Sequence, residues 1–474
     1  MLSQLFRAQQ QASSPPEARH CTSPDQHGDS REHVMRQANG IGSSSHGPSL
    51  LESLPLELFL QIISYCHDDS SQKALYALSL TNRKLNRLVT PTLYEIYRSS
   101  RYYYKYVRTL VTSPELAARV KTLCWKLGLR DPDARSYPNE VASKMDDYKL
   151  PFTMKLASII RGGWREQCGE VLPSYLCVAL MHTPNVERLF VRDHTHWPKT
   201  NNWQQVLTSK TPNCFSALKS VCILSPMRLE LVVDLFQLPN LESLRLGKLF
   251  DSMETEWPSP EATSNIQNLE LYYCYLHPSN VAAMIRSCQK LKTFSYSCPA
   301  NYSDKRTYRR ESDIPKVKTA LDMHAESLRE VHFRRRRFDR TSDGQVDTFA
   351  FYDKLTALSI PAHSLDFSHF SKLAEQLPRS LKELYLDGSI KEPLTPSDIQ
   401  TLALFPKSVK DVFPNFHTLH VENEMSGCLP SPVWHNCQAE FVEHGLVLKW
   451  WCKRYPGLAY HEQWQGMMIT MGES

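Results

Sequence analysis

Glycine is scarce, with 16 residues in 474, and the chain has no G-x-x-x-x-G-K-[ST] loop, no G-x-S-x-G elbow and no H-E-x-x-H pair. Those motifs let a backbone cradle phosphate, raise a nucleophile on a strained turn, or set two imidazoles on one helix face for a metal. Their absence argues against an enzyme. Lone histidines such as His182, His194 and His196 read as surface or core-edge groups. No catalytic residue, cofactor or metal is expected.

Long apolar runs are missing too. None approaches the 18 residues of a membrane span, and the N-terminal MLSQLFRAQQQASSPPEARH lacks the apolar stretch of a secretory signal. The expected compartment is intracellular, cytoplasmic or nuclear. The 13 cysteines are scattered and often embedded in apolar runs such as YLCVAL and SVCIL, which suggests reduced, buried thiols rather than a disulfide framework. Cys428, Cys437, Cys452 and His461 are too widely spaced for a zinc knuckle. Net charge is also small: 55 Lys and Arg face 50 Asp and Glu, and the whole excess of five lies between Asp304 and Arg340, which includes the run Arg334 to Arg337. That run could contact phosphates, but no nucleic-acid module surrounds it. It reads as a solvated strand end or an import signal.

What is present is order along the chain. Residues 1–48, rich in Ser, Gln, His, Pro and Gly, cannot bury enough surface to fold, so a disordered arm is expected. Residues 49–98 form a helical unit. From residue 99 to 424 a six-residue pattern, apolar-x-x-apolar-x-apolar, recurs ten times: VKTLCW, VERLFV, LKSVCI, LESLRL, IQNLEL, LKTFSY, LREVHF, LTALSI, LKELYL and FHTLHV. After a first gap of 66 residues the starts are 23 to 37 apart. The alternation inside each unit predicts a strand with one buried face, and several units follow a helical run, as in FSKLAEQLPRSLKELYL. An α/β array of about ten strand–helix units follows, with residues 425–474 as a cap made of one more helix, a Gly stop and a last strand. An ordinary doubly wound α/β domain is the alternative.

The segment LPLELFLQII, residues 54–63, is apolar around roughly 200° of a helix, where packing on one side needs only about 100°. Leu58, Ile62 and Tyr65 share one stripe; Phe59, Ile63 and Cys66 share another. Such a helix requires two apolar neighbours, either within its own domain or from another protein.

Two resemblances follow from these residues. The strand–helix repeat is similar to leucine-rich repeat proteins, in which parallel strands line a concave side and helices a convex one. It departs from them in mostly lacking the Asn or Cys after the strand; only Cys274 sits there. The order Leu54-Pro55-x-Glu57-Leu58, Ile62, Leu75-x-x-Leu78-Ser79-Leu80-Thr81-Asn82-Arg83 and Leu85-Asn86-x-Leu88-Val89 resembles an F-box, the three-helix module that binds the Skp-type adaptor of a cullin–RING ubiquitin ligase. The tryptophan common after the Asn-Arg pair is Leu85 here. The combination resembles fungal F-box domain-containing proteins. It implies a substrate receptor that binds Skp-type adaptor and cullin through Leu54, Pro55, Leu58, Ile62, Leu75 and Leu78.

The residues between the last two apolar positions of each unit should face away from the core and meet a protein substrate. They include Arg245, Glu270, His332, Tyr385 and His420, with Arg192, Tyr272, Arg334 and Asp387 in the next row. These rows are basic through the middle and acidic near the end. The rival reading is a leucine-rich scaffold unconnected with ubiquitin, whose first helices only cap the array.

Overall fold

The computed structural model describes residues 53–65, 69–98, 103–127, 168–193, 215–251, 256–258, 260–298, 314–335, 348–362, 365, 370–388, 396–423 and 432–452. The expected arm, the arginines 336 and 337, Cys428 and His461 lie outside them. The chain divides into two compact units, residues 1–59 and 60–474. In the first, the described part is 53–59, where Pro55 precedes helix α1 (Leu56–Ser64) and the Phe59 N–H donates to the Pro55 carbonyl at 3.1 Å. Proline fits there because the first-turn N–H has no helical partner to lose.

The second unit continues α1 and adds α2 (Asp69–Thr81) and α3 (Arg83–Glu95), which pack along each other. Asn82 separates these two helices: its extended backbone breaks the first, and its side chain accepts the Leu85 N–H at 2.8 Å to cap the second. Asn86 Nδ2 donates to the Ser79 carbonyl at 2.8 Å and ties the start of α3 to the end of α2.

Among the described residues, twelve parallel strands then form one sheet in strict chain order. They are β1 (Ile96–Arg98), β2 (Thr122–Leu127), β3 (Arg188–Asp193), β4 (Ser220–Arg228), β5 (Ser243–Phe250), β6 (Asn268–Tyr272), β7 (Thr293–Cys298), β8 (Glu330–Arg335), β9 (Ala357–Pro361), β10 (Glu383–Gly388), β11 (Thr418–Asn423) and β12 (Val447–Cys452). A doubly wound sheet would reverse strand order at a switch point, and this one does not. The architecture is that of a solenoid-like repeat. Each of the ten sequence patterns supplies one strand, β2 to β11, starting at its third residue. β12 follows the expected final helix and Gly445, whose φ of +66° suits a residue without a Cβ. β1 adds a twelfth strand within the segment expected to be helical.

Connections between strands carry α4 (Tyr103–Thr112) and α5 (Pro114–Ala117), then α6 (Cys168–His182), α7 (Pro278–Ser287), α8 (Ile314–Asp322), α9 (Phe370–Gln376), α10 (Pro396–Val412) and α11 (Pro432–Glu443). The helical run after β4 is a 3₁₀ helix, Leu229–Gln237. One continuous core runs from Tyr97 to Leu448, built from motif positions one, four and six, such as Leu241, Leu244 and Leu246. At its start Tyr97 stacks on Tyr106 of α4 with ring centroids 3.6 Å apart and tilts against Trp125, 5.5 Å away.

Backbone bonds link each unit to the next in one pattern. The carbonyl of the second motif residue accepts two successive N–H groups from the following unit: Glu187 takes those of Lys219 and Ser220 at 2.8 and 3.0 Å, and Lys219, Glu242, Gln267, Lys292, Arg329, Thr356 and Lys382 repeat it. Side chains just before the motif add a second tie. Asn185, Asn240 and Asn265 donate to the carbonyls of Ala118, Ser216 and Pro239 at 2.8, 2.7 and 2.6 Å, while Ser327 and Ser380 donate to those of Leu291 and Leu355. Each of these five bonds gives a backbone carbonyl of the preceding unit a side-chain partner. Cys274 occupies the position expected of it: it is buried, with Sγ 3.7 Å from the Leu246 carbonyl oxygen.

Burial controls the ionisation of several groups in this unit. It pushes the thiols of Cys177, Cys288 and Cys437 up to about 12, which leaves them protonated and inert. His324 is lowered by burial; its Nδ1 accepts the Leu291 N–H and its Nε2–H donates to the Ile285 carbonyl at 3.0 Å, so the neutral ring joins two units. Lys318, nearly enclosed, pairs with Asp322 and lies over the rings of Phe349, Phe351 and Tyr352 at 4.7 to 5.2 Å from their centroids.

Candidate interaction surfaces

Helix α1 resolves its two apolar stripes into different fates. Phe59 and Ile63 are buried, at 3% and 2% exposure, whereas Leu58, Ile62 and Tyr65 are exposed at 49%, 43% and 77%. Leu56 and Leu60 flank the buried stripe on its other side and are also about half exposed. In α2, Tyr76 and Leu80 stand one turn apart and are exposed at 58% and 68%. Of the expected adaptor residues, Pro55, Leu58 and Ile62 are thus accessible, and Leu54 and Leu78 are half-buried. Leu75 requires a correction: at 1% exposure it is a core residue of the helical segment and offers no surface. Its helical spacing with Leu78 marked a face without saying which way that face turns.

The second surface is the face of the sheet away from the helices. Register places Arg98, Cys124, Phe190, Cys222, Arg245, Glu270, Ser295, His332, Ser359, Tyr385, His420 and Lys449 in one continuous row. The next row contains Lys126, Arg192, Leu224, Gly247 and Tyr272, then Ser297 beside Arg334, and farther on Asp387 beside Glu422. Gly247 belongs there because a Cβ would lie 2.9 Å from Leu224 Cδ2. The side chains of Arg334 and Glu422 are outside the described set.

Two polar clusters lie on this face. On β5 and β6, Arg245 pairs with Glu270 at 2.7 Å, both side chains 13% exposed, and Tyr272 OH donates to the other Glu270 oxygen at 2.6 Å. The Arg245 guanidinium also sits 5.6 Å from the Tyr272 ring centroid. Burial opposes charge on Arg245, but the Glu270 carboxylate more than offsets it, and the guanidinium is held above its ordinary range. Burial likewise pushes the neighbouring Cys222 thiol up to about 12. Three of the expected substrate residues are therefore brought together as one closed cluster.

On β8 to β11, Tyr385 OH donates to Glu383 at 2.6 Å, its ring stacks on His420 with centroids 3.8 Å apart, and His332 meets its edge at 6.1 Å. His332 Nε2 lies 3.7 Å from Glu330, and that ring holds the Glu330 carboxyl below its usual range. Burial, followed by the nearby Lys449 ammonium, pushes His420 down to about 4. His420 is the second correction: expected to face a substrate, it is buried beneath its neighbours at 7% exposure and acts as a support for Tyr385. Arg192, His332, Tyr385 and Asp387 remain partly accessible. Glu330 and Glu383, first residues of their strands, were missed; the alternation that singled out His332 and Tyr385 also turns residues two places earlier onto the same face.

No protein-family model and no curated protein matches this chain. Among the described residues no helix is long and apolar enough to cross a membrane.

Proposed function

We propose that the chain is the substrate receptor of a cullin–RING ubiquitin ligase. On this reading α1 to α3 are an F-box that docks on a Skp-type adaptor, and the open face of a leucine-rich-repeat-like sheet binds a protein substrate. The observation that carries it is the split of α1 into a buried stripe, Phe59 and Ile63, and an exposed one, Leu58, Ile62 and Tyr65. An exposed apolar stripe of this kind marks an interaction site on a soluble surface. Here it coincides with the Leu-Pro-x-Glu-Leu motif and is followed by the Asn82 cap, which supports an F-box over a helix that merely closes the array.

Such a receptor needs no chemistry of its own. By holding ligase and substrate together it raises the effective concentration of substrate lysines near activated ubiquitin. The arrangement is tested by co-expressing the chain with a Skp-type adaptor and cullin, beside a variant carrying Pro55→Ala and Ile62→Asp. Wild type should co-purify with both partners; the variant, shown folded by circular dichroism, should not, because an unpaired carboxylate in an apolar interface costs a few kcal/mol, about 2 or more. A wild type that ignores the adaptor returns the reading to the scaffold.

A further inference from the structure

The last turn of α11 and the residue after it gather three metal-binding side chains that neither surface uses. Glu440, Glu443 and His444 each offer one donor atom, and the three atoms lie within 4.8 Å of one another. Their spacing brings them together, because residues three and four places apart share one face of a helix. Backbone bonds hold the turn that follows: the His444 N–H donates to the Glu440 carbonyl at 3.2 Å, the Gly445 N–H to that of Val442 at 3.0 Å and the Leu446 N–H to that of Phe441 at 2.8 Å.

The ring of His444 is oriented as well. Its Nδ1 lies 2.9 Å from the Glu440 carbonyl oxygen. A carbonyl can only accept, so Nδ1 carries the proton and Nε2 the lone pair, the arrangement in which a metal-bound histidine is steadied from behind by the backbone. Glu440 supplies an observation independent of the spacing. Its Oε2 is shut off from solvent and makes no hydrogen bond; the Lys407 ammonium of α10 faces it at 3.3 Å, from a side chain that is itself about half exposed. A carboxylate oxygen enclosed in this way lacks a close partner.

We propose that Glu440, Glu443 and His444 bind a zinc-like divalent cation, which takes the place of the Lys407 ammonium beside Glu440. Two carboxylate oxygens and one imidazole nitrogen suit Zn²⁺ better than Mg²⁺ or Ca²⁺, which favour oxygen donors alone. Zinc holds such ligands at about 2.0 to 2.2 Å, so binding draws the three donors to about 3.4 Å from one another. The negative end of the helix dipole adds to the attraction. All three ligands lie at the turn that leads into β12, so the ion braces the end of the array, whatever the first helices dock on.

Titration calorimetry of the metal-free full chain with zinc chloride tests the site. Other histidines and cysteines of the chain can also take up zinc, so the variants decide. Wild type should show a zinc site that Glu443→Gln and His444→Gln each weaken by about tenfold or more. Lys407→Met, which removes the competing cation, should bind zinc more tightly than wild type, a gain that a misfolded variant cannot show. Mg²⁺ in about tenfold excess should leave the zinc in place. No zinc binding by wild type, equal binding by Glu443→Gln and His444→Gln, no gain in Lys407→Met, or displacement by Mg²⁺ would overturn the proposal.

Discussion

Residues 56 to 80 and the sheet solve the same problem in opposite ways. Among the described residues twelve large hydrophobic side chains are exposed; seven of them, from Leu56 to Leu80, fall in this short helical stretch, and five are scattered through everything that follows. In the repeats the apolar motif positions join one continuous core, so the apolar pattern is used up by the fold. In α1 and α2 it is not, and what is left over is available for another protein. Polar residues tie the chain in both regions, as Asn82 and Asn86 do in the helices and Asn240 does in the repeats, but only on the sheet do they also gather into the two clusters of the open face.

The largest difference should appear on truncating the two kinds of apolar residue. Phe294→Ala removes a fully buried ring that meets Phe333 edge-on at 5.8 Å, and should cost about 3 to 5 kcal/mol. Leu60→Ala, about half exposed, should stay within about 0.5 kcal/mol. Urea titrations of both variants check this, and a large loss at Leu60 would remove the contrast. Next comes the closed cluster: Arg245→Ala leaves Glu270 nearly enclosed without its cation, at about 3 kcal/mol, whereas replacing both with methionine should recover most of the loss. Smaller still is Asn82→Ala, which uncaps α3 and should cost about 1 kcal/mol in the same assay.

The pattern of successes and corrections has a physical basis. Ten strands could be read because position four and position six of each unit alternate with an outward residue, a signal six residues long and repeated. β1 could not, since Ile96 to Arg98 directly follows a helix and three residues carry no period. Outward direction was legible; accessibility was not. Arg245, Glu270, Tyr385 and His420 do face away from the core, but which of them pair, stack or disappear under neighbours depends on side chains 25 to 35 residues distant, as Arg245 with Glu270 and Tyr385 with His420 illustrate. Leu75 failed for a related reason, because helical spacing identifies a stripe and leaves its direction open. The Asn and Ser ties before five of the ten motifs had a signal that went unused, the recurring Asn or Ser immediately ahead of the first apolar residue.

A further difference concerns pH. His420 and His324 both have folded values below the ordinary imidazole range, so between about pH 6.5 and 4 the unfolded chain binds more protons than the folded one. Stability should therefore fall as pH drops through that window. His420→Gln should flatten the slope of melting temperature against pH; an unchanged slope would mean the ring is not held neutral.

The contrast between helices and sheet is tested most directly by calorimetric titration of a purified Skp-type adaptor into three full-length proteins: wild type, Ile62→Asp, and Leu404→Asp, a substitution at an exposed leucine on α10. The account predicts tight binding by wild type, a loss of about a hundredfold or more for Ile62→Asp, and no change for Leu404→Asp. Equal binding by all three, or none by wild type, would contradict it.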